Sequence, residues 1–187
     1  MENIIKKAIE RHKLALNFLE NNTSVILDLA ELFISTFKKG GKIIFMGNGG
    51  SASDALHLSA EFVGRFKKNR KPLDAISLST NIPTITAIGN DFGFEYIFSR
   101  QIMAIAKKND LVVGISTSGN SKNIINAIKE AKDMNIKTIG FLGKDGGLLK
   151  DIVDVALIIP SDDTATVQEM HILVGHIICE IIDERFS

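Results

Sequence analysis

The sequence predicts an α/β protein: a doubly wound, five-stranded parallel sheet of the flavodoxin-like kind, preceded by a pair of helices. Three observations lead to this prediction. From residue 42 onward, short apolar segments alternate with helical segments, as is typical of parallel strands covered on both faces. Two of these segments run directly into loops rich in glycine and serine. The first forty residues show only helical periodicity. We therefore expect one domain over residues 1–187, with helices at 1–40 and the α/β core at 41–187.

The N-terminal segment is predicted to form two helices. Apolar residues recur at helical spacing over residues 4–19 and again over residues 26–37. The polar run 21–23 interrupts the pattern, and Thr23 is a plausible cap for the second helix. Gly40 marks its end, since glycine commonly follows the last turn of a helix.

The core is predicted to contain five strands, at residues 43–46, 75–78, 111–115, 138–142 and 155–159. Helical segments separate them, so right-handed crossover connections make the sheet parallel. A final helix over residues 164–183 is apolar nearly all round. Such a helix is expected to be buried, either in the core or against another subunit.

Composition narrows the possible functions. Lys plus Arg and Asp plus Glu both number 22, which argues against binding of nucleic acid, because that binding needs excess positive charge. The basic stretch 65–71 is accordingly interpreted as a solvated connection. The one cysteine, Cys179, cannot form an internal disulfide, and its apolar surroundings predict a buried, inert thiol. No signal peptide or uninterrupted membrane-spanning stretch is visible, so we expect a cytoplasmic location and no membrane partner.

Two loops are candidates for binding a phosphate group. The first, residues 47–53, follows strand one, and the second, residues 116–121, follows strand three; each leads into a helix. Backbone N–H groups and the positive end of a helix dipole favour an anion there. If the strand order is 2-1-3-4-5, both loops lie at the switch point of the sheet, where ligands bind.

Three other interpretations of the loops compete with phosphate binding. Residues 47–52 fit the dinucleotide pattern G-x-G-x-x-G/A, but strand two ends in Leu78-Ser79-Thr80 and lacks the acidic residue that would confirm it. Neither loop has the Gly-Lys-Ser/Thr ending of a triphosphate loop. Tight turns with helix caps would explain one such loop. Two of them at one switch point favour a phosphate.

Candidate catalytic groups lie on two helices. His57 and Glu61 are four residues apart, which places them on one helical face with a geometry able to share a metal; a simple surface contact remains the alternative. On the last helix, His171 and His176 are about 140° apart and should not face one site, whereas Gln168 and His176 are about 80° apart. The alternative there is a pair of core histidines. His12 is expected at a helix edge without a role.

Read together, these residues resemble the phosphoheptose isomerase family, a branch of the sugar-isomerase (SIS) domain proteins. The resemblance covers essentially the whole chain. It rests on five segments in the same order, namely GNGGSASDALHLSAEFVGR, AIGNDFGFEYIFSRQ, GISTSGNSKNII, GKDGG and PSDDTATVQEMHILVGHIICEIID.

The resemblance implies an activity and a site. The activity is interconversion of sedoheptulose 7-phosphate and D-glycero-D-manno-heptose 7-phosphate through an enediol, the first step toward ADP- or GDP-heptose precursors for bacterial surface polysaccharide. It also implies a homotetramer with one zinc per site and Glu61 and His176 as the catalytic pair. The implied zinc ligands are His57, Glu61, Gln168 and His176. The implied substrate contacts are Asn48, Gly49, Gly50, Glu61, Asn90, Asp91, Ser116, Thr117, Ser118, Ser121 and Gln168, with Arg65 a further candidate.

Two departures and two alternative functions accompany the resemblance. Thr166 stands where many relatives carry Arg, so an ion pair made there is missing. Residues 141–143 read Phe-Leu-Gly where Leu-Thr-Gly is more usual.

A non-catalytic relative, the DnaA-initiator-associating protein, lacks the acid at position 61 and has Asn at position 176, whereas this chain has Glu61 and His176. A sugar-phosphate-sensing regulator would need a DNA-binding segment, and none accompanies the domain.

Overall fold

The computed structural model describes residues 1–187 and contains a five-stranded parallel sheet in the order β2-β1-β3-β4-β5. The predicted fold class and strand order are confirmed. Each predicted strand is present with its ends shifted by no more than one residue. The strands are β1 (Ile43–Gly47), β2 (Ala75–Ser77), β3 (Leu111–Ser116), β4 (Lys137–Gly143) and β5 (Val155–Ile159).

Helices cover both faces of the sheet and enclose two apolar clusters. One face carries α1 (Glu2–Asn21), α2 (Thr23–Lys38), α3 (Gly50–Val63) and α7 (Thr164–Phe186). The other carries α4 (Ile82–Asp91), α5 (Ser99–Ile105) and α6 (Lys122–Asp133), and short 3₁₀ turns occupy Phe94–Tyr96 and Leu149–Asp151. This covering on both sides explains why β1, β3 and β4 are almost wholly apolar and buried.

The break between α1 and α2 differs in one detail from the prediction. Thr23 does not cap α2: it is the first helical residue, and Asn22 precedes it in a non-helical conformation. The Asn22 side chain instead donates back to the Phe18 carbonyl, 2.8 Å away, at the end of α1. The two helices therefore join by a single-residue break, and no side chain caps the start of α2.

Helix α7 fills the space between the N-terminal helices and the sheet. Its first turn is fixed by Asp163, whose carboxylate accepts hydrogen bonds from the Thr166 N–H at 2.9 Å and the Thr166 hydroxyl at 2.8 Å. By length and hydropathy alone α7 could cross a membrane, but half of its most apolar stretch is buried inside the protein. Burial in the core was one of the two outcomes predicted for this helix.

Helices α3 and α7 lie side by side and run in the same direction. A side chain added at Gly50 would strike the Gln168 amide, and one added at Gly175 would strike Leu58. Farther along, Asp183 accepts hydrogen bonds from backbone N–H groups just beyond α3, at Lys67 and Lys68. We refer to this contact between the two helices as the α3–α7 seam.

Candidate active site

Three side chains with metal-binding atoms meet in the α3–α7 seam. His57 Nε2 lies 3.2 Å from Glu61 Oε1 and 3.4 Å from His176 Nε2. One turn of α3 separates His57 from Glu61, and α7 supplies His176 from the other side of the seam. All three donor atoms lie within 4.8 Å of one another. We call these three residues the seam cluster.

The seam cluster has the donor set of a divalent metal site. Two imidazoles and a carboxylate are ligands that zinc and several other transition metals accept, with bonds of about 2.0–2.2 Å. Three ligands leave a coordination position for a further group, as in catalytic rather than structural sites. The donors therefore fit a metal, although two imidazoles and a carboxylate do not by themselves select zinc.

The environment of His176 orients its ring. Phe66 stacks on it, with centroids 5.1 Å apart and planes 20° apart, and the His57 ring meets it edge-on at 4.9 Å. Burial lowers the pKa of His176, and the neighbouring His57 lowers it further. Both effects favour the neutral imidazole, which is the form that binds a metal or accepts a proton.

A buried ion pair anchors the segment that follows α3. Arg70 Nε lies 2.7 Å from Asp183 Oδ1, and both side chains are almost completely shielded from solvent. The guanidinium also donates to the carbonyls of Glu61 and Phe62, which closes the last turn of α3. The interpretation of residues 65–71 as a solvated connection is thus wrong for Arg70, because the guanidinium is paired inside the seam. Lys67 stays on the surface and pairs with Glu180.

Gln168, a predicted zinc ligand and substrate contact, lies at the other end of the seam. Its amide nitrogen is 2.4 Å from the position that a Cβ on Gly50 would occupy, so this glycine makes room for it. His176 follows eight residues later on the same helix, roughly 12 Å along the axis. The role of Gln168 as a metal ligand therefore stays a prediction.

The first loop enters α3 without a capping side chain. Gly49 occupies the left-handed region with φ +56°, and no side chain accepts a hydrogen bond from the first turn of α3. Asn48, half-buried ahead of it, forms a reciprocal pair of amide hydrogen bonds with Asn123, at 2.9 and 2.8 Å. This pair ties the first loop to the helix that leaves the second loop. Both loops therefore lie together at the switch point between β1 and β3.

The second loop presents hydroxyls that do not cap the helix behind them. Ser121 is the residue before α6, but its side chain makes no capping hydrogen bond; its hydroxyl lies 3.0 Å from the Ser116 hydroxyl. Thr117 and Ser118 are half-buried beside them. The ordinary explanation of these residues as helix caps does not account for Ser121.

Glycines from the next loop support the second loop from behind. Gly119 has φ +64°, and a Cβ there would lie 2.0 Å from the Gly146 carbonyl oxygen. A Cβ on Gly147 would lie 2.6 Å from the Ser118 carbonyl oxygen. Asn120 accepts a hydrogen bond from the Leu148 N–H. The GKDGG segment thus fixes the shape of the Ser/Thr loop, and larger residues cannot be placed at this contact without displacing backbone.

The remaining candidates lie apart from the seam cluster or on the surface. Asn90 and Asp91 are exposed at the end of α4 and hydrogen-bond to each other at 2.8 Å. Arg65 is exposed after α3, and its guanidinium donates to the Lys67 carbonyl at 3.4 Å. Their predicted substrate contacts stay predictions.

Three further titratable residues, His171, Cys179 and His12, lie outside the seam cluster. His171 is fully buried, donates from Nε2 to the Leu142 carbonyl at 2.9 Å, and packs against Phe141. Burial lowers its pKa to about 4, against the opposing effect of that hydrogen bond. Cys179 is buried, as predicted, and burial raises the pKa of its thiol. His12 is half-buried on α1 and contacts Glu169.

Sequence reasoning missed Asn123, Phe66 and Arg70. Asn123 is a polar residue on the otherwise apolar face of α6, and such a residue needs a partner. Phe66 is an apolar residue in a basic stretch, a weak signal that one side of the stretch is buried. Nothing local to Arg70 reveals its pairing, because Asp183 is 113 positions away.

The chain is similar to known proteins over its full length. The SIS domain family model matches residues 9–143. A phosphoheptose isomerase of Helicobacter pylori (strain ATCC 700392 / 26695) is 50% identical over 188 residues, which is 100% of this chain and 98% of that protein. The solved phosphoheptose isomerase of Neisseria gonorrhoeae superposes with a TM-score of 0.89 at 39% identity, covering 98% and 96% of the two chains. That of Francisella tularensis has a TM-score of 0.93 at 36% identity, covering 97% of each.

Proposed function

Because the chain belongs to the phosphoheptose isomerase family of SIS-domain proteins, we propose that it interconverts sedoheptulose 7-phosphate and D-glycero-D-manno-heptose 7-phosphate. This is an aldose–ketose isomerisation, and its product feeds the synthesis of nucleotide-activated heptose for surface polysaccharide. The observation that carries the proposal is the meeting of Glu61 with His176 in the α3–α7 seam. The reaction needs a base and an acid at one place, and this cluster supplies both.

The phosphate end of the substrate is assigned to the two loops at the switch point. Ser116, Thr117, Ser118 and Ser121 offer hydroxyl donors, and the start of α6 adds backbone N–H groups and its dipole. Asn48, Gly49 and Gly50 line the start of α3. A phosphate bound at one point would hold the sugar so that its other end reaches the seam, which removes much of the entropic cost of alignment. Asn90, Asp91 and Arg65 are assigned to the rest of the sugar.

Glu61 and His176 are assigned the proton transfers. In the ketose-to-aldose direction, Glu61 removes a proton from carbon 1, the electron pair forms the enediol double bond, and a proton is returned to carbon 2. His176 moves the proton between the oxygens on the two carbons, so the formula is unchanged. Each positioned acid or base of this kind contributes about 10²–10⁴ in rate. Burial and the neighbouring His57 lower the pKa of His176, which favours the neutral form of the ring.

Zinc is the metal we assign to the seam cluster, one ion per site. His57, Glu61 and His176 would hold it, and Gln168 would complete the ligand set if its amide moves toward His176. When bound, the ion polarises substrate oxygens and stabilises negative charge that develops on them. Metal content by elemental analysis, before and after dialysis against a chelator, tests this assignment without any activity assay.

The assembly is assigned as a homotetramer in the cytoplasm. Ile4, Ile5 and Ile9 on α1 are each more than half exposed, and so are Phe92, Phe94 and Met103 on the other face. Apolar patches of this kind mark interaction surfaces in soluble proteins. Light scattering at micromolar concentration checks the assignment, and a monomer would contradict it.

The activity is tested by incubating purified protein with sedoheptulose 7-phosphate and detecting the aldose. Turnover by the wild type and its loss in Glu61→Gln are expected. Glu180→Gln is the matched control, because Glu180 is an exposed acid that pairs with Lys67 on the surface. If Glu61→Gln retains wild-type turnover, Glu61 is not the base. If the wild type itself produces no aldose, the proposed function fails.

A further inference from the structure

One half-buried acid on α3 has a carboxylate oxygen that is shielded from solvent and has no partner. Asp54 lies on α3, and its Oδ2 is shielded from solvent and accepts no hydrogen bond. Carboxylate oxygens are rarely buried without a partner, because burying an unpaired polar group costs on the order of several kcal/mol. An orphaned carboxylate oxygen in a protein that otherwise satisfies nearly all of its buried polar side chains calls for a functional explanation.

The position of Asp54 places it beside the seam cluster. Residues 50, 54, 57 and 61 are spaced by three and four positions, so they share one stripe of α3. At the start of the stripe, Gly50 meets Gln168; farther on, His57 and Glu61 meet His176. Asp54 therefore lies between the two predicted parts of the metal site, one turn before His57.

The His57 ring leaves one nitrogen available to this acid. Both contacts of His57 within the seam cluster, to Glu61 and to His176, use Nε2. Nδ1 takes part in neither contact. Asp54 is near enough to His57 to be affected by its charge: burial raises the pKa of Asp54 to about 6, and the nearby His57 lowers it. A carboxylate within reach of the second nitrogen is the usual partner of a metal-binding histidine.

We propose that Asp54 is a positioning residue, which accepts a hydrogen bond from His57 Nδ1–H and thereby holds Nε2 toward the metal site. The inference rests on the metal centre of the proposed function. The hydrogen bond fixes the tautomer with the proton on Nδ1, so that the lone pair of Nε2 is free to bind an ion. It also gives the shielded Oδ2 of Asp54 the partner that it lacks.

The test measures metal affinity, using the full chain and zinc alone as the probe. Wild type, Asp54→Ala and Asp54→Asn are titrated with zinc against a chromophoric chelator. We expect Asp54→Ala to weaken zinc binding about 10–100-fold, the range seen when such outer partners are removed. Asp54→Asn should lose less zinc affinity than Asp54→Ala, because its amide oxygen still accepts a hydrogen bond. Ser59→Ala is the matched control on the same helix; its hydroxyl bonds only to the Leu56 carbonyl, and zinc affinity should not change.

A second measurement separates positioning from folding. The thermal midpoint of the metal-free Asp54→Ala protein should stay close to that of the wild type, because the proposed role of Asp54 is to hold the His57 ring and not to support the core. Cobalt-substituted protein should show an altered visible spectrum in Asp54→Ala and an unaltered one in Ser59→Ala. Zinc affinity of Asp54→Ala within twofold of the wild type would overturn the proposal, as would a lower metal-free midpoint with an unchanged cobalt spectrum.

Failure of this inference is distinct from failure of the proposed function. Aldose production by the wild type is assayed in parallel. A wild type that turns over substrate and binds zinc, together with an Asp54→Ala variant of equal zinc affinity, removes only the role of Asp54. A wild type that turns over substrate without binding zinc removes the metal centre and the role of Asp54 with it.

Discussion

Two histidines on α7, His171 and His176, have opposite environments. His171 is fully buried, with one nitrogen bonded to the Leu142 carbonyl and the other, Nδ1, without a partner. His176 is half-buried in the seam, against His57 and Phe66. The same side chain thus supports packing at one position and offers chemistry at the other. The difference comes from the element that each side chain meets. His171 contacts a strand of the sheet, whereas His176 contacts another helix.

The largest expected effect separates the two histidines by activity. Replacing His176 with Gln should lower kcat for sedoheptulose 7-phosphate by about 10²–10⁴, because a proton-transfer group is lost. His171→Gln should leave kcat per folded molecule near that of the wild type. Initial rates, with circular dichroism to verify folding, measure both. Comparable losses of kcat in the two folded variants would contradict the different roles of His171 and His176.

The free energy of unfolding should depend more on His171 than on His176, the reverse of the order expected for kcat. His171→Leu is expected to lower the free energy of unfolding by about 1–3 kcal/mol, because the Leu142 carbonyl loses a buried donor. His176→Leu is the control, and it should change stability less, since His176 is only half-buried. Denaturant unfolding followed by circular dichroism provides the numbers. A His171→Leu protein as stable as the wild type would mean that the hydrogen bond contributes nothing.

The stability of the folded protein should also depend on pH through His171. The pKa of His171 is lowered to about 4, below its ordinary value of 6.5, because burial disfavours the charged ring. Between these values the unfolded chain binds the proton and the folded protein does not, so stability is complete above pH 6.5 and falls as pH drops toward 4. The slope contributed by this one group is at most about 1.4 kcal/mol per pH unit. Unfolding curves at pH 7, 6 and 5 should be less pH-dependent in His171→Leu; identical pH dependence in wild type and variant would contradict the assignment.

The smallest expected effect concerns what holds His176. Phe66→Ala removes the ring stacked on it and should lower kcat about 2- to 12-fold, corresponding to the roughly 0.5–1.5 kcal/mol attributed to aromatic pairs. Phe66→Tyr keeps the ring and should restore most of the rate. Steady-state kinetics on both variants provide the comparison. If Tyr fails to improve on Ala, stacking does not position His176.

The fold could be predicted well because its signals are local. Each strand is a short apolar run, and crossovers through helices require neighbouring strands to be parallel, so β1 to β5 follow from pattern alone. Helical spacing also placed His57 beside Glu61 and turned His171 away from His176. The boundary at Thr23 was wrong because Asn22, with an equally suitable side chain, bonds backward to α1.

The seam could not be predicted from pattern in the same way. Which residues of α7 lie opposite α3 depends on how far one helix slides along the other, and close contacts such as Gly175 with Leu58 decide this. The pairing of Arg70 with Asp183 depends on the same packing. The family resemblance supplied what spacing alone left open, since it named residues on both helices together.

The place of α7 in the chain has a consequence for how the protein is made. This helix follows all five strands and the other helices described here, yet it packs against α1, α2 and α3 and supplies His176 and Asp183 to the seam. Until α7 has been synthesised, the earlier helices keep an uncovered apolar surface, which is the condition under which nascent chains aggregate or recruit chaperones. A chain truncated before residue 164 would therefore lack His176 and would leave the apolar faces of α1, α2 and α3 that α7 covers open to solvent.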